Sequence, residues 1–496
     1  MLSTKNKTNQ LVSVALLLLI SSIFSCRSDD GFPGYQFEEK GTPGCTNVLA
    51  NNYDSEASTN DGSCAPTDCS TCDFFISGSV YGFDGDEKGV RPGNIICLDA
   101  SVTYEKPISI SNVHGSAANP VIITNCGGQA IVDLPGKDYA IYIGKSSHFR
   151  VTGTGSNDHA FGIKLTNTKT QGISISDLST NFEVDHMEIS NVGFAGIMAK
   201  TDPYCDPATQ RGNFTMRDVK FHDNYIHETG GEAMYIGNSF YASGKNTNEC
   251  GVVYPHDIRG LEVARNRIIN SGWESIQVGC AVEGASIHDN HIEHFGRENK
   301  NAQNNAIQLG EGTGGVCYNN YIADGPGNGI IVLGLGDNLV FNNVIVSPGK
   351  NGIFCDERYT TGPGFSFINN TIINPSVDGI KIYADKVDMN HIINNIIVNP
   401  GAFDEYESDN TSKTGNDSYI HKLSDNVKID LRNNYFTRDI NSVLFNQGSS
   451  DFELTAESPL IGVGEDVSDF GINFDFKGNK RPLGTGYEPG AIEMEY

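Results

Sequence analysis

Tryptophan occurs once in 496 residues, at Trp273, and cationic residues are scarce: 34 Lys and Arg stand against 61 Asp and Glu, for a formal charge of −27. A nucleic-acid binder needs a basic face, so that class is excluded. Beyond the first 25 residues no apolar run reaches the roughly 20 residues a transmembrane helix requires. Helical periodicity is missing as well. The 56 Gly would each cost about 1 kcal/mol inside helices, which leaves strands and turns. The acidic surface favours solubility. It repels a polyanion at long range, so an acidic substrate would need a local cationic site.

What is present begins at the N-terminus. Lys5 and Lys7 precede an apolar stretch from Leu11 to Ile20, then Ile23-Phe24-Ser25-Cys26. A basic start, a short apolar core and small residues form a signal peptide, residues 1–25. Ile-Phe-Ser-Cys resembles a bacterial lipobox, with Phe24 bulkier than usual. The resemblance implies lipidation at Cys26 and an outer-membrane lipoprotein on the cell surface or periplasmic face, touching the membrane only through its anchor. Asp29 and Asp30 resemble an acidic export tag. Residues 26–44 read as a tether without periodicity.

Of 12 cysteines, 11 remain after Cys26, so at least one stays unpaired. Gly44-Cys45-Thr46-Asn47, Asn52-Tyr53-Asp54 and Asn60-Asp61-Gly62-Ser63-Cys64 resemble a small Cys-loop module of secreted bacterial proteins. The resemblance implies a Cys45–Cys64 bridge within a module over 45–72. Asp54, Asn60 and Asp61 carry hard oxygens suited to calcium, the one cofactor expected; a plain disulfide-closed spacer is the alternative. Cys69 and Cys72 form a CxxC without further zinc ligands nearby, so a local or interdomain disulfide is expected.

The main signal is a repeat. Asn-x-Ile recurs at Asn224, Asn266, Asn290, Asn320, Asn343, Asn370 and Asn395, in steps of 42, 24, 30, 23, 27 and 25 residues. Such periods with short β-rich units indicate a solenoid. Each unit holds a second short strand of the form small-Ile-x, as in Ser275-Ile276-Gln277 and Gly329-Ile330-Ile331. Strands alternate faces, so Ile points inward and the following residue outward. A carboxamide both donates and accepts, so stacked Asn side chains can satisfy buried turn amides. These asparagines are therefore structural.

Gly89-Val90-Arg91-Pro92-Gly93-Asn94-Ile95-Ile96, Gly115-Ser116-Ala117-Ala118-Asn119-Pro120 and the Asn column together resemble the pectate-lyase-like superfamily. That resemblance implies an all-β, right-handed parallel β-helix over 73–440. It implies carbohydrate chemistry broadly, because the fold hosts lyases, hydrolases, esterases and adhesins. Residues 441–496, with Arg481-Pro482-Leu483-Gly484 and Gly490-Ala491-Ile492-Glu493, resemble the ending of bacterial β-helix proteins and read as a cap over the open strand edges.

Insertions fall between Lys200 and Phe214, Gly237 and Ile258, and Gly296 and Asn305, with Cys205 and Cys250 placed to bridge the first two. Loops on a rigid scaffold are where sites form. The polar residues gathered there are Lys200, His227, Glu232, Tyr235, Glu274, Gln277, Arg297 and Gln308; Trp273 offers a surface for a sugar ring. Each has a plainer reading as a solvated or packed side chain, and coincidence of column, coil and insertion is what raises them. Two reactions compete. In β-elimination on a uronic acid, Lys200, His227 or Tyr235 removes the C5 proton while Arg297 or Gln277 holds the carboxylate; loss of water from a terminal uronic acid is the same chemistry. In retaining glycoside hydrolysis, Glu232 and Glu274, on adjacent coils about 4.8 Å apart, form the carboxyl pair. A non-catalytic glycan-binding protein or adhesin is the third reading. The expected partner is an acidic poly- or oligosaccharide, bound by a monomer.

Overall fold

The computed structural model describes residues 42–494 except 66–67, 80, 358–361, 402–418, 444, 446–451 and 485. The signal segment, Cys26 and most of the tether lie outside the described residues.

One coil shows how the chain winds. Asp257–Ala264 lies in a first sheet, a corner follows at Asn266, and Arg267–Ser271 lies in a second sheet. A corner at Trp273 and Glu274 leads to Ile276–Val278 in a third sheet. Ser286–His288 then starts the next coil, parallel to Asp257–Ala264. Repetition builds parallel sheets of 14, 11 and 12 strands among the described residues. The architecture is the right-handed parallel β-helix expected from the repeat.

The inward Ile column is in register. Ile276 pairs with Ile307, Ile307 with Ile330, and Ile330 with Ile353, all fully buried in one core. The small residue before each Ile has a steric cause. A Cβ on Gly329 would sit 2.5 Å from Ile345 Cγ2, and one on Gly352 2.5 Å from Ile372 Cγ2. The Asn column forms a continuous ladder at the first corner. Asn290 Nδ2 donates to Asn320 Oδ1 at 2.9 Å and to the Val263 carbonyl at 2.9 Å. The ladder runs one coil beyond the repeat read from sequence, because Asn395 donates to Asn434. The residue before each rung turns the corner at positive φ: Asn319, Asn342, Asn369 and Asn394 lie between 53° and 56°. Asn tolerates that conformation, which explains the Asn-Asn pairs.

The N-terminal module is docked rather than suspended. Cys45 pairs with Cys64, and of the two alternatives for the CxxC the structure has the interdomain one, Cys69–Cys126 and Cys72–Cys97. Arg150 donates to the Tyr53 hydroxyl at 2.9 Å. Cys280, Cys317 and Cys355 stay free and buried.

The C-terminal segment packs on outward-facing residues of the later coils. Val467 and Ile472 pack on Phe341, Ile368 and Ile393, while Phe476 and Ile492 pack on Tyr321 and Val344. It folds back along the flank as a strap, because those coils carry apolar residues outward. Buried Arg481 holds it, paired with Glu493 and donating to the carbonyls of Glu488 and Gly490.

Candidate functional site

The third sheet presents its outward column as Tyr235, Gln277, Gln308, Ile331, Phe354, Lys381 and His421, each in register with the next. A cavity of about 440 Å³ lies over it, floored by Gln277, Gln308, Ile331, Phe354 and Lys381. Asn301 to Asn304, from the third insertion, form one wall; Ser239, Glu311 and Tyr383 line it elsewhere. Four strand spacings separate Gln277 from Lys381, about 19 Å. The floor therefore has an amide end, an apolar middle and a cationic end.

At the cationic end, Lys381 Nζ lies 3.8 Å from Asp378 Oδ2 and over the Tyr383 ring at 5.5 Å. His421 Nδ1 lies 3.3 Å from the same Asp378 oxygen. At the other end, Tyr235 lies one coil before the amides, and Lys200 Nζ, from the coil before that, sits 4.8 Å over its ring and pairs with Asp202 at 2.9 Å. The Tyr235 hydroxyl is 3.5 Å from Ser239 Oγ, on the cavity rim. The first two insertions are joined by Cys205–Cys250 and by Arg211, which donates to the Pro255 and Tyr241 carbonyls.

The structure does not bring all the sequence candidates together. His227 projects from the second sheet, around a corner from Tyr235; it stacks on Tyr225 at 4.3 Å and pairs with Glu228. Arg297 is exposed on that same side, in a shallow depression with Glu228 and Lys169. Trp273 packs edge-on against Phe194 at 5.5 Å, and Lys300 covers its face.

Glu232 and Glu274 do stack on adjacent coils, but at 1% and 0% exposure. A carboxyl sealed from the groove cannot protonate a glycosidic oxygen, so the exposed retaining pair is corrected to a buried one. They head a second polar ladder at the corner before the third sheet. Asn351 Nδ2 donates to Asn328 Oδ1, Asn328 to Asn305, and Asn305 to Glu274 Oε1 at 3.2 Å. Burial pushes Glu232 up to about 7. Burial, and then the neighbouring Glu232 charge, pushes Glu274 up to about 8. Both are neutral acids in mildly acidic solution.

Asp54, Asn60 and Asp61 each accept, through Oδ1, from the backbone amide two residues on. Elsewhere Glu183, Asp185 and His222 cluster closely, but the Arg150 guanidinium lies 2.9 Å from Glu183 and 2.7 Å from Asp185, supplying the positive charge a metal would bring. Lys381, Lys350, Tyr383 and His421 are not among the candidates the sequence offers. Those residues lie beyond the insertions, and no local motif marks them.

Residues 252–436 match the family described as the right handed beta helix region. No curated protein sequence matches the chain. Among solved structures, an alginate lyase from Paenibacillus sp. is 16% identical, with 64% of this chain and 99% of that one covered and a TM-score of 0.42. Pectate lyase Pel9A is 14% identical over 86% and 97%, with a TM-score of 0.41. A GH136 lacto-N-biosidase from Eubacterium ramulus is 11% identical over 70% and 63%, with a TM-score of 0.45. None of these likenesses assigns an activity to this chain. The fold is a right-handed parallel β-helix.

Proposed function

We propose that the chain is a carbohydrate-active enzyme that cleaves an acidic oligo- or polysaccharide by β-elimination in the groove of the third sheet. The observation that carries this reading is Lys381, a cation on the floor of a walled cavity in a chain of charge −27, beside His421 and above Asp378. A uronic acid's C5 proton is weakly acidic until its carboxylate is neutralised. Lys381 supplies that charge. His421, oriented by Asp378, takes the C5 proton; the C5 electron pair forms the C4–C5 double bond, and the C4–O bond breaks with its electrons leaving on oxygen. Phe354 offers a face for a neighbouring ring, and Gln277 and Gln308 bind hydroxyls further along. Lys200 and Tyr235 form the alternative base at the opposite end.

Incubation with uronic-acid oligosaccharides tests this. The expected product shows the ultraviolet absorbance of an unsaturated uronic acid. New reducing ends without that absorbance would mean hydrolysis, and binding without either product would mean an adhesin. Lys381→Ala and His421→Ala should each lower turnover by about 100-fold. Loss confined to Lys200→Ala and Tyr235→Phe would move the reaction to the other end.

A further inference from the structure

A second cavity, of about 380 Å³, opens where the N-terminal module meets the β-helix, on the corner between the first and second sheets rather than on the third. Its size falls within the range of roughly 300–1,000 Å³ typical of ligand pockets. One wall belongs to the module: Thr46, Ser58, Thr59 and Asn60. The loop from Thr154 to Phe161 forms another, and the corner residues His186, Asp223, Arg265 and Arg267 the floor. The floor steps across successive coils, so with the loop it spans about 14 Å, room for a short chain of sugars.

The walls are held in place by interactions unrelated to any ligand. The disulfides Cys69–Cys126 and Cys72–Cys97 anchor the end of the module to the β-helix. Asn157, on the loop, hydrogen-bonds to Asn47 and donates to the Cys64 and Ala65 carbonyls. Preorganised walls bind without the cost of ordering a loop.

The charges are unevenly spent. Arg265 is engaged by Asp223 through two hydrogen bonds, of 3.0 and 2.9 Å, and His186 by Asp185 at 2.7 Å. Arg267 makes no ion pair among the described residues; its guanidinium lies 5.0 Å over the Tyr225 ring, and Tyr225 in turn contacts Phe161 at 5.8 Å. His159 likewise has no ion pair among the described residues, and Asp158 is the one carboxylate in the loop wall. A guanidinium over an aromatic face, in a cleft also lined by hydroxyls and an amide, matches a ligand with one carboxylate and many hydroxyls.

We propose that this cleft is a carbohydrate-binding site for a carboxylated oligosaccharide, separate from the groove of the third sheet, and that the Cys-loop module is one of its walls. The site holds a strand of acidic glycan while the groove works on another part of it or on another chain. It stands whether or not the groove performs elimination.

The test is calorimetric titration of the full chain carrying Lys381→Ala, with trigalacturonate as probe and maltotriose as its neutral counterpart. Arg267→Ala on the floor and Thr59→Glu on the module wall should each weaken trigalacturonate binding tenfold or more relative to the Lys381→Ala parent. In the otherwise wild-type chain, neither should alter turnover of short substrates. Absence of binding by the parent, equal binding of maltotriose, or unchanged affinity in both cleft variants would each overturn the proposal. Loss of elimination with cleft binding retained would overturn only the reading of the groove.

Discussion

At the scale of single residues, the two ladders carry most of the polar burden of the fold, and they differ in one respect. The first ladder is all carboxamide, so its rungs are indifferent to pH. Asn320 accepts from the Asn290 amide and side chain and donates to Asn343 and the Ile287 carbonyl. Asn320→Ala should strand these groups and cost about 3 kcal/mol, measured by denaturant unfolding. The second ladder ends in carboxyls. Their folded pKa values, about 7 for Glu232 and about 8 for Glu274, lie above the ordinary 4.5. The folded chain therefore keeps protons that the unfolded chain has released, and this part of its stability is complete below about 4.5 and lost as pH rises through 7 to 8. Glu274→Gln replaces the acid with the carboxamide the ladder uses elsewhere. Thermal melts at alkaline pH should show it a few degrees more stable than wild type, with a flatter pH profile; an unchanged profile would assign the titration elsewhere.

At the scale of elements, the sequence disclosed what is periodic and concealed what is not. Asn-x-Ile and small-Ile-x recur because each coil solves the same packing problem, so sheets, register and facing were legible from residues such as Ile276 and Ile307. The groove was not, because it is assembled from residues that no spacing relates: Asn301 on an insertion, Lys381 three coils later, Tyr383 beyond it. His227 and Arg297 misled for a geometric reason. His227 shares a coil with Tyr235 but leaves from the second sheet, and Arg297 shares a coil with Gln308 but leaves from the start of the third insertion. Glu232 and Glu274 were placed correctly in their column, yet a column at a corner faces inward as readily as outward. The joined insertions also make a prediction. Replacing Cys205 and Cys250 by Ser opens a 45-residue loop. It should speed proteolysis between Lys200 and Ile258 and lower turnover while leaving the unfolding of the coil stack little changed.

At the scale of the whole molecule, the stack is long, acidic and closed on its flanks by other parts of the chain. Its attachment to a membrane through Cys26 remains our proposal. Cys26→Ala should move the protein from the membrane fraction to the soluble one on cell fractionation, and retention would sink the anchor. The strap has a separate consequence, one that concerns time rather than shape. A chain threaded outward from its N-terminus delivers the coils around Tyr321 and Val344 well before it delivers Phe476 and Ile492, which cover them. A chain lacking those last residues would leave Tyr321 and Val344 uncovered. An early stop codon before Phe476 should therefore raise self-association, read by light scattering, while the coils themselves still form.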